Sequence, residues 1–101
     1  MVIGVFRLVR SEDETGVSGT GVVAYGTAYP NGKVAMAWHA PDRPQSVAVY
    51  DSLEDVVAIH IESHKETTRL EWLSLIDLRN GQDAVGTRER VEFLNAHPHP
   101  V

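Results

Sequence analysis

A β-hairpin between Gly19 and Trp38 is the feature that most constrains the fold of this sequence. Small and large side chains alternate along Val22–Tyr29, as in a strand with two different faces. In the turn that follows, Tyr29-Pro30-Asn31-Gly32, proline presets φ and Asn-Gly tolerates the positive φ of a tight reversal. The return strand is Val34–Trp38, and its large residues share one face: Val34, Met36 and Trp38. The hairpin constrains the architecture far more than it constrains any chemistry.

Further strands are predicted on both sides of the hairpin. The segment Val2–Arg10 is rich in β-branched and aromatic residues, which indicates a first strand. Two prolines interrupt the ladder after Trp38, and Ser46–Tyr50 is then a short fourth strand. Apolar and charged side chains alternate again along Thr67–Leu75, which predicts a fifth strand.

Two helices are predicted, one in the middle of the chain and one near its end. Ser52 and Asp55 have the spacing of a capping-box variant, which indicates a helix start. The residues that then fall on one helical face are Leu53, Val56, Val57 and His60. Thr87 is a candidate cap for a last helix, Arg88–Ala96. The residues that this helix is expected to bury are Val91 and Leu94.

Together these elements predict an α+β fold. We expect an antiparallel five-stranded meander sheet curled over one helix, in the order β-β-β-β-α-β, with a short C-terminal helix. Residues 1–78 are predicted to form a single domain, which is consistent with a length of 101 residues. Residues 79–101 are predicted to be a C-terminal extension that begins at an Asn80-Gly81 turn and docks on the domain or on a partner.

The composition excludes several classes of function. The chain has no cysteine, which rules out disulfides, thiol catalysis and cysteine-based metal sites. Its net charge is −5 and its basic residues are scattered, which argues against generic binding to nucleic-acid phosphates. No apolar run approaches the roughly 20 residues of a membrane span, and none resembles a signal peptide. We therefore expect a cytoplasmic protein with no membrane partner.

No catalytic constellation is recognisable, and no cofactor is expected. The glycine-rich segment Gly16–Gly21 leads into a strand and lacks the Gly-Lys-Ser/Thr of a phosphate loop, so we interpret it as a connection between strands. His39, with Asp42 three residues on, is a candidate acid/base pair. The favoured interpretation of His39 is a solvent-facing histidine at a strand end.

Histidines also suggest a metal site. His60 and His64 are four residues apart, which would place them on one helix face as in a two-histidine site. A third ligand would have to come from elsewhere, with His39 and Glu62 as candidates. Because His60 continues the apolar stripe, a hydrogen-bonded core histidine is the favoured interpretation.

Two hypotheses use the residues of the predicted sheet as a binding surface. Sheet aromatics can stack the bases of single-stranded nucleic acid, and the candidates are Tyr25, Tyr29, Trp38, Tyr50 and Trp72. No cluster of lysines or arginines accompanies them, which favours protein contacts. Small residues of the hairpin are predicted to share one flat face suited to close approach by a second surface: Ala24, Gly26, Ala28, Ala35 and Ala37. With Val91 and Leu94 of the last helix, these are the predicted partner-binding residues.

Five parts of the sequence form a recognisable pattern over about the first three-quarters of the chain: Phe6–Arg10, Thr15–Ala24, Trp38, Asp51–Val56 and Ile59-His60. In these parts the chain resembles a family of small uncharacterised proteins of bacteria, archaea and their phages. Members carry an acidic residue where Tyr25 stands, an arginine where Ala37 stands, and a glycine-containing turn after the histidine. The resemblance implies an accessory protein linked to phages or mobile elements, and it implies no activity.

Three functions follow as hypotheses. The leading one is a non-enzymatic accessory protein that binds a protein partner or itself, as a homo-oligomer. The alternatives are a small metal-binding protein or enzyme built on His39, His60 and His64, and a single-stranded nucleic-acid binder that uses the sheet aromatics.

Overall fold

The computed structural model describes residues 1–11, 20–39, 46–62 and 66–96. Within these ranges, six antiparallel strands form one sheet, and a short helix packs on one of its faces. The strands are β1 (Val2–Arg10), β2 (Gly21–Ala28), β3 (Val34–Trp38), β4 (Val47–Tyr50), β5 (Thr68–Asp77) and β6 (Gln82–Asp83). The α+β class and the antiparallel sheet are therefore confirmed.

The order of the strands corrects the predicted five-stranded meander. The sheet runs β4-β3-β2-β1-β5-β6, so the first four strands form a meander and β5 returns to pair with β1. This pairing places Trp72 opposite Phe6, and the two rings make an edge-to-face contact with centroids 5.5 Å apart. The sixth strand, β6, was not predicted, because it is only two residues long and pairs with the end of β5.

The predicted hairpin is present, with the predicted turn. Tyr29 and Lys33 close it through a backbone hydrogen bond in which Tyr29 N donates to Lys33 O at 2.9 Å. Gly32 has a φ of 91°, which glycine adopts without a steric penalty. The turn sets the register of the two strands: Ala28 lies opposite Val34, and the pairing continues without a bulge to Ala24 opposite Trp38. The face to which every hairpin side chain points is therefore determined at the turn.

Small residues of β1 and β2 make room for the large rings of the core. A Cβ on Gly26 would lie 2.1 Å from Cζ of Phe6, so the phenyl ring occupies the space of the absent side chain. On β1, a Cβ on Gly4 would lie 2.6 Å from Cζ3 of Trp72. Both glycines are required by close packing, because neither has a positive φ. The alternation of small and large residues is thus a packing pattern of the core.

One helix covers this face of the sheet. Helix α1 (Leu53–Val56) continues directly as a π-helix (Val57–Ile61). Ser52 caps it as predicted, since its hydroxyl accepts a hydrogen bond from Asp55 N at 3.3 Å. The helix residues buried against the sheet are Val56, Val57 and Ile61. Their sheet partners in the core are Phe6, Leu8, Val23, Ala24, Val34 and Met36.

The C-terminal helix, α2 (Thr87–Ala96), is less deeply packed than predicted. It buries no residue completely, and Val91 and Leu94 are only partly covered. Thr87 is the first residue of the helix and not the cap that precedes it, and its single hydroxyl hydrogen lies within reach of two acceptors, the carbonyl oxygens of Leu75 and Ala84. The division of the chain into a domain of residues 1–78 and an extension of residues 79–101 stays a prediction.

Helix α2 closes the outer edge of β5 at a point that β6 does not reach. Trp72 N donates to Asn95 Oδ1 at 2.7 Å, and Asn95 Nδ2 donates to Trp72 O at 3.0 Å. The side-chain amide of Asn95 thus satisfies both backbone groups of Trp72, as a neighbouring strand would.

Candidate interaction surface

The sheet face opposite α1 carries a continuous set of apolar side chains. Along each strand, the residues that carry these side chains alternate with residues of the core, and the strand pairings align them across the sheet. One row across the strands is Val47, Ala37 and Tyr25, and the next is Val49, Ala35, Thr27 and Val5. We call these seven residues the open face. Val47, Val49 and Tyr25 have exposed fractions of 69%, 74% and 46%.

The outer edge of β4 adjoins the open face. Trp38 N donates to Ser46 O, which makes this pair a hydrogen-bonded one in the ladder between β3 and β4. Hydrogen-bonded and non-hydrogen-bonded pairs alternate along an antiparallel ladder. The backbone groups of Ala48 therefore point toward β3, and those of Val47 and Val49 point away from the sheet. No other described strand pairs with this edge.

A charged cluster borders the open face at β1 and β5. Arg7 Nε and Arg69 Nε each lie 2.8 Å from a different oxygen of Glu71. The hydrogen bond from Arg69 is the largest influence on the pKa of Glu71, and it lowers that pKa together with Arg7. Partial burial opposes this shift but does not cancel it. Glu71 thus stays ionised and offsets part of the positive charge of the two arginines.

Replacement of Glu71 by glutamine should destabilise the protein at neutral pH and not in acid. The pKa of Glu71 is lower in the folded state than in the unfolded state, whose value is about 4.3. The stabilisation by the carboxylate is therefore complete above that value and is lost as pH falls through the folded-state pKa. Because the arginines are solvent-exposed, we expect a cost below about 1 kcal/mol.

The measurement is thermal unfolding of wild type and Glu71→Gln at neutral pH and at successively lower pH values, through the range in which the Glu71 carboxylate becomes protonated. The difference in melting temperature should be present at neutral pH and close to zero in acid. An equal difference at all of these pH values would show that the carboxylate charge is not the cause.

A histidine lies between two aromatic rings on the opposite, helix-covered side of the sheet. The ring nitrogen Nε2 of His60 is hydrogen bonded to Tyr50 Oη at 2.8 Å. The His60 ring also makes edge-to-face contacts with Trp38 at 5.1 Å and with Tyr50 at 5.8 Å between centroids. Burial raises the pKa of Tyr50 above its ordinary value, so its hydroxyl remains protonated at physiological pH. This is the environment of a structural histidine.

Comparison with known proteins identifies the family of the chain. The model of the Acb5 phage protein family matches residues 3–74, which include most of β1, all of β2 to β4, α1 and the π-helix, and most of β5. The chain belongs to the Acb5 phage protein family. The expected link to phages is thus confirmed. No curated protein and no solved structure shows a significant match.

The predicted metal ligands of this Acb5-family chain are not brought together in the part that the structure describes. Among the described residues, no group of three or more His, Asp or Glu side chains is arranged to hold a metal ion. His60 is hydrogen bonded to Tyr50, as the interpretation of a core histidine expects. His64 lies outside the described residues, so the pair itself stays a prediction. Glu62 is the exposed C-terminal cap of the π-helix.

The candidate acid/base pair also stays a prediction. His39 is exposed at the end of β3, with its ring centroid 6.3 Å from that of Tyr25, and Asp42 lies outside the described residues. The aromatic residues of the nucleic-acid hypothesis do not share one platform. Those packed against the core are Trp38, Tyr50 and Trp72. Those exposed are Tyr25 and Tyr29.

The predicted small-residue face of the Acb5-family hairpin requires a correction. Register places Ala24, Gly26 and Ala28 on the helix-covered face, whereas Ala35 and Ala37 lie on the open face. Ala24 has no exposed surface, and the ring of Phe6 lies against Gly26. These two residues are therefore not accessible to a partner. Contacts of a partner with Ala35 and Ala37, or with Val91 and Leu94 on α2, remain predictions.

Sequence reasoning missed the two most exposed large apolar side chains of the open face. Val47 and Val49 alternate with Ala48 and Tyr50 in a strand that contains no charged residue. An uncharged strand after a proline-rich break is the signal that points to an unprotected sheet edge. Separately, no helix in the described ranges has the length and apolar character needed to span a lipid bilayer.

Proposed function

We propose that this member of the Acb5 phage protein family is a non-enzymatic accessory protein that acts through protein–protein contact. The contact surface is the open face together with the adjoining edge of β4. The observation that carries the proposal is the exposure of Val47 and Val49, at 69% and 74%, beside other apolar side chains of the sheet.

The composition of the open face supports contact with a protein rather than with a polyanion. Its β3 and β4 residues are alanines and valines, and Tyr25 adds an aromatic ring next to Ala37. Contiguous exposed apolar side chains with a polar border are typical of protein interaction sites. The border is the Arg7–Glu71–Arg69 cluster, in which the carboxylate already engages both arginines. The arginines are thus less available to phosphates.

The flatness of this surface also favours a protein partner. Ala35 and Ala37 present only methyl groups, so another backbone or side chain can approach the sheet closely. Small-molecule sites, in contrast, are concave and enclose most of the ligand surface. A flat apolar surface with a tyrosine at its centre resembles the core of a protein interface.

Site-specific photo-crosslinking in phage-infected cells tests the proposal. A crosslinking amino acid is placed at Ala37, in the open face, and separately at Glu54, which is exposed on α1 on the other side of the sheet. We expect position 37 to give a discrete crosslinked species, with another protein or with a second copy of the chain, and position 54 to give only background. Background crosslinking at both positions would contradict the proposal.

A substitution makes the same test specific for the surface. Val47→Lys places a charge next to Ala37 on the open face and should reduce the yield of the crosslinked species at least fivefold. Val85→Lys is the matched control, because Val85 is 96% exposed and lies outside the sheet. Equal loss of crosslinking in both variants would indicate that added charge, and not the surface, is responsible.

A further inference from the structure

We propose that the edge of β4 pairs with the β4 edge of a second copy of this chain, which gives a two-fold symmetric dimer with one continuous sheet. The inference rests on the proposed function, because it names the occupant of part of the same surface. Two-fold pairing through one patch is the commonest form of self-association.

Within the described part of the molecule, the two edges of the sheet differ in whether their outward backbone groups have hydrogen-bond partners. At the β5 side, β6 pairs with residues 76 and 77, and Asn95 of α2 satisfies the backbone of Trp72. At the other side, β4 ends the sheet and no described strand pairs with its outer edge. Sheet edges are ordinarily protected by charged residues, proline or a covering element. Strand β4 has neither a charged residue nor a proline.

The backbone of β4 has the geometry for pairing with itself. The N–H and C=O groups of Val47 and Val49 point outward, as the hydrogen bond from Trp38 to Ser46 implies. In an antiparallel pair with the two-fold axis at Ala48, Val47 of one copy faces Val49 of the other. Both residues then form hydrogen-bonded pairs, so every outward group of the two valines finds a partner across the axis. Ala48 faces Ala48 of the second copy in the non-hydrogen-bonded position.

The side chains agree with the same register. A two-fold axis perpendicular to the sheet keeps the open faces of both copies on one side. Val47 and Val49 of the two copies then form a cluster of valines on that side, where each is largely exposed in the single chain. Direct cross-strand contact between β-branched side chains stabilises antiparallel pairs. On the helix-covered side, the small Ala48 allows the two strands to approach without a clash.

Charge does not oppose this contact locally. Strand β4 carries no charged side chain, and the ion pair between Lys33 Nζ and Asp51 Oδ1, 2.6 Å apart, lies beyond its end. The net charge of −5 on each copy opposes association over longer distances, and that repulsion is screened by salt. A strand of a different protein could use the same backbone groups, but its sequence need not place valines opposite Val47 and Val49, as a second copy of this chain does.

Sedimentation and light scattering over a wide concentration range at about 0.15 M salt test the proposal. Wild type should shift from a mass of 11.1 kDa to twice that value as concentration rises. Val49→Lys should weaken dimerisation at least tenfold, and Val85→Lys, the same change at an exposed valine outside β4, should leave it unchanged. A wild type that stays monomeric, or a dimer that Val49→Lys does not weaken, would overturn the proposal.

Val49→Pro tests the backbone separately from the side chain. Proline removes the outward N–H of residue 49 and leaves the ladder between β3 and β4 intact, because that N–H does not point toward β3. We expect a folded monomer. If Val49→Pro fails to fold by circular dichroism, amide exchange of the wild type replaces it. The Val47 and Val49 amides should then be protected only at dimer-forming concentrations, and the Ala48 amide at all concentrations.

The outcomes distinguish this inference from the proposed function. A monomeric wild type that crosslinks to another protein from position 37 overturns self-pairing and leaves the proposed function standing. A dimer that dissociates in the Val49 variants but gives no crosslinking from position 37 supports the β4 edge and contradicts partner contact at the β2 and β3 residues of the open face. Concentration-independent exchange of the Val47 and Val49 amides overturns self-pairing in either case.

Discussion

Gly26→Ala is expected to destabilise the folded protein by about 3 kcal/mol, the upper range for overpacking a core. The added methyl carbon would lie 2.1 Å from Cζ of Phe6 and 2.5 Å from two further ring atoms. Phe6 has no exposed surface and is held by the edge-to-face contact with Trp72, so the ring has little room to move. Urea unfolding at one fixed protein concentration measures the effect.

Two further variants separate crowding from other effects of losing a glycine. Gly32→Ala removes a glycine with positive φ and nothing within 4 Å, so it should cost about 1 kcal/mol from backbone strain alone. In a Phe6→Leu background, the smaller side chain relieves the clash, and Gly26→Ala should cost at least about 1 kcal/mol less than in the wild type. A cost for Gly26→Ala that is no larger than that for Gly32→Ala would refute the packing argument.

Ile61→Ala is also expected to cost about 3 kcal/mol, because it removes a fully buried side chain and leaves a cavity. Ile61 is the last residue of the π-helix and packs in the same core cluster as Phe6. Ile59 provides the matched control, since it belongs to the same π-helix but is 56% exposed. Ile59→Ala should change the free energy of unfolding by less than about 1 kcal/mol.

The same urea titrations compare the two isoleucine variants. Their denaturant midpoints should differ clearly, with unchanged slopes, because only the packing of one side chain is altered. Similar midpoints for both variants would mean that the π-helix does not dock on the sheet through Ile61.

Local signals predicted a large part of the fold. The bounds of β1 and β3 were predicted to the residue, because hydrophobic alternation and turn residues act over short distances. The cap at Ser52 was predicted for the same reason. The return of β5 to β1 was not predicted, because it depends on contacts between residues more than 60 positions apart, such as Arg7 and Glu71. Nothing in the local pattern of β5 distinguishes β1 from β4 as its neighbour.

The candidate surface was predicted less well, and part of the error was avoidable. The turn at Tyr29–Gly32 places Ala28 opposite Val34, and counting back in pairs places Ala24 opposite Trp38. This register already separates Ala24 from Ala37, because paired residues share a face. The exposure of Val47 and Val49 could not be predicted from the register of the hairpin. It depends on which strand ends the sheet, and that is a property of the assembled fold.

The contact between Asn95 and Trp72 limits how many copies edge pairing can join. Asn95 engages the outward backbone groups of Trp72, and β6 pairs with residues 76 and 77, so within the described residues only the β4 edge lacks a partner of this kind, and the proposed edge pairing would stop at two copies. A molecule with both edges free would have two points of attachment, and pairing could continue into an open-ended polymer. Asn95, on a helix that buries no residue completely, thus helps to limit the proposed edge pairing to two copies of the chain.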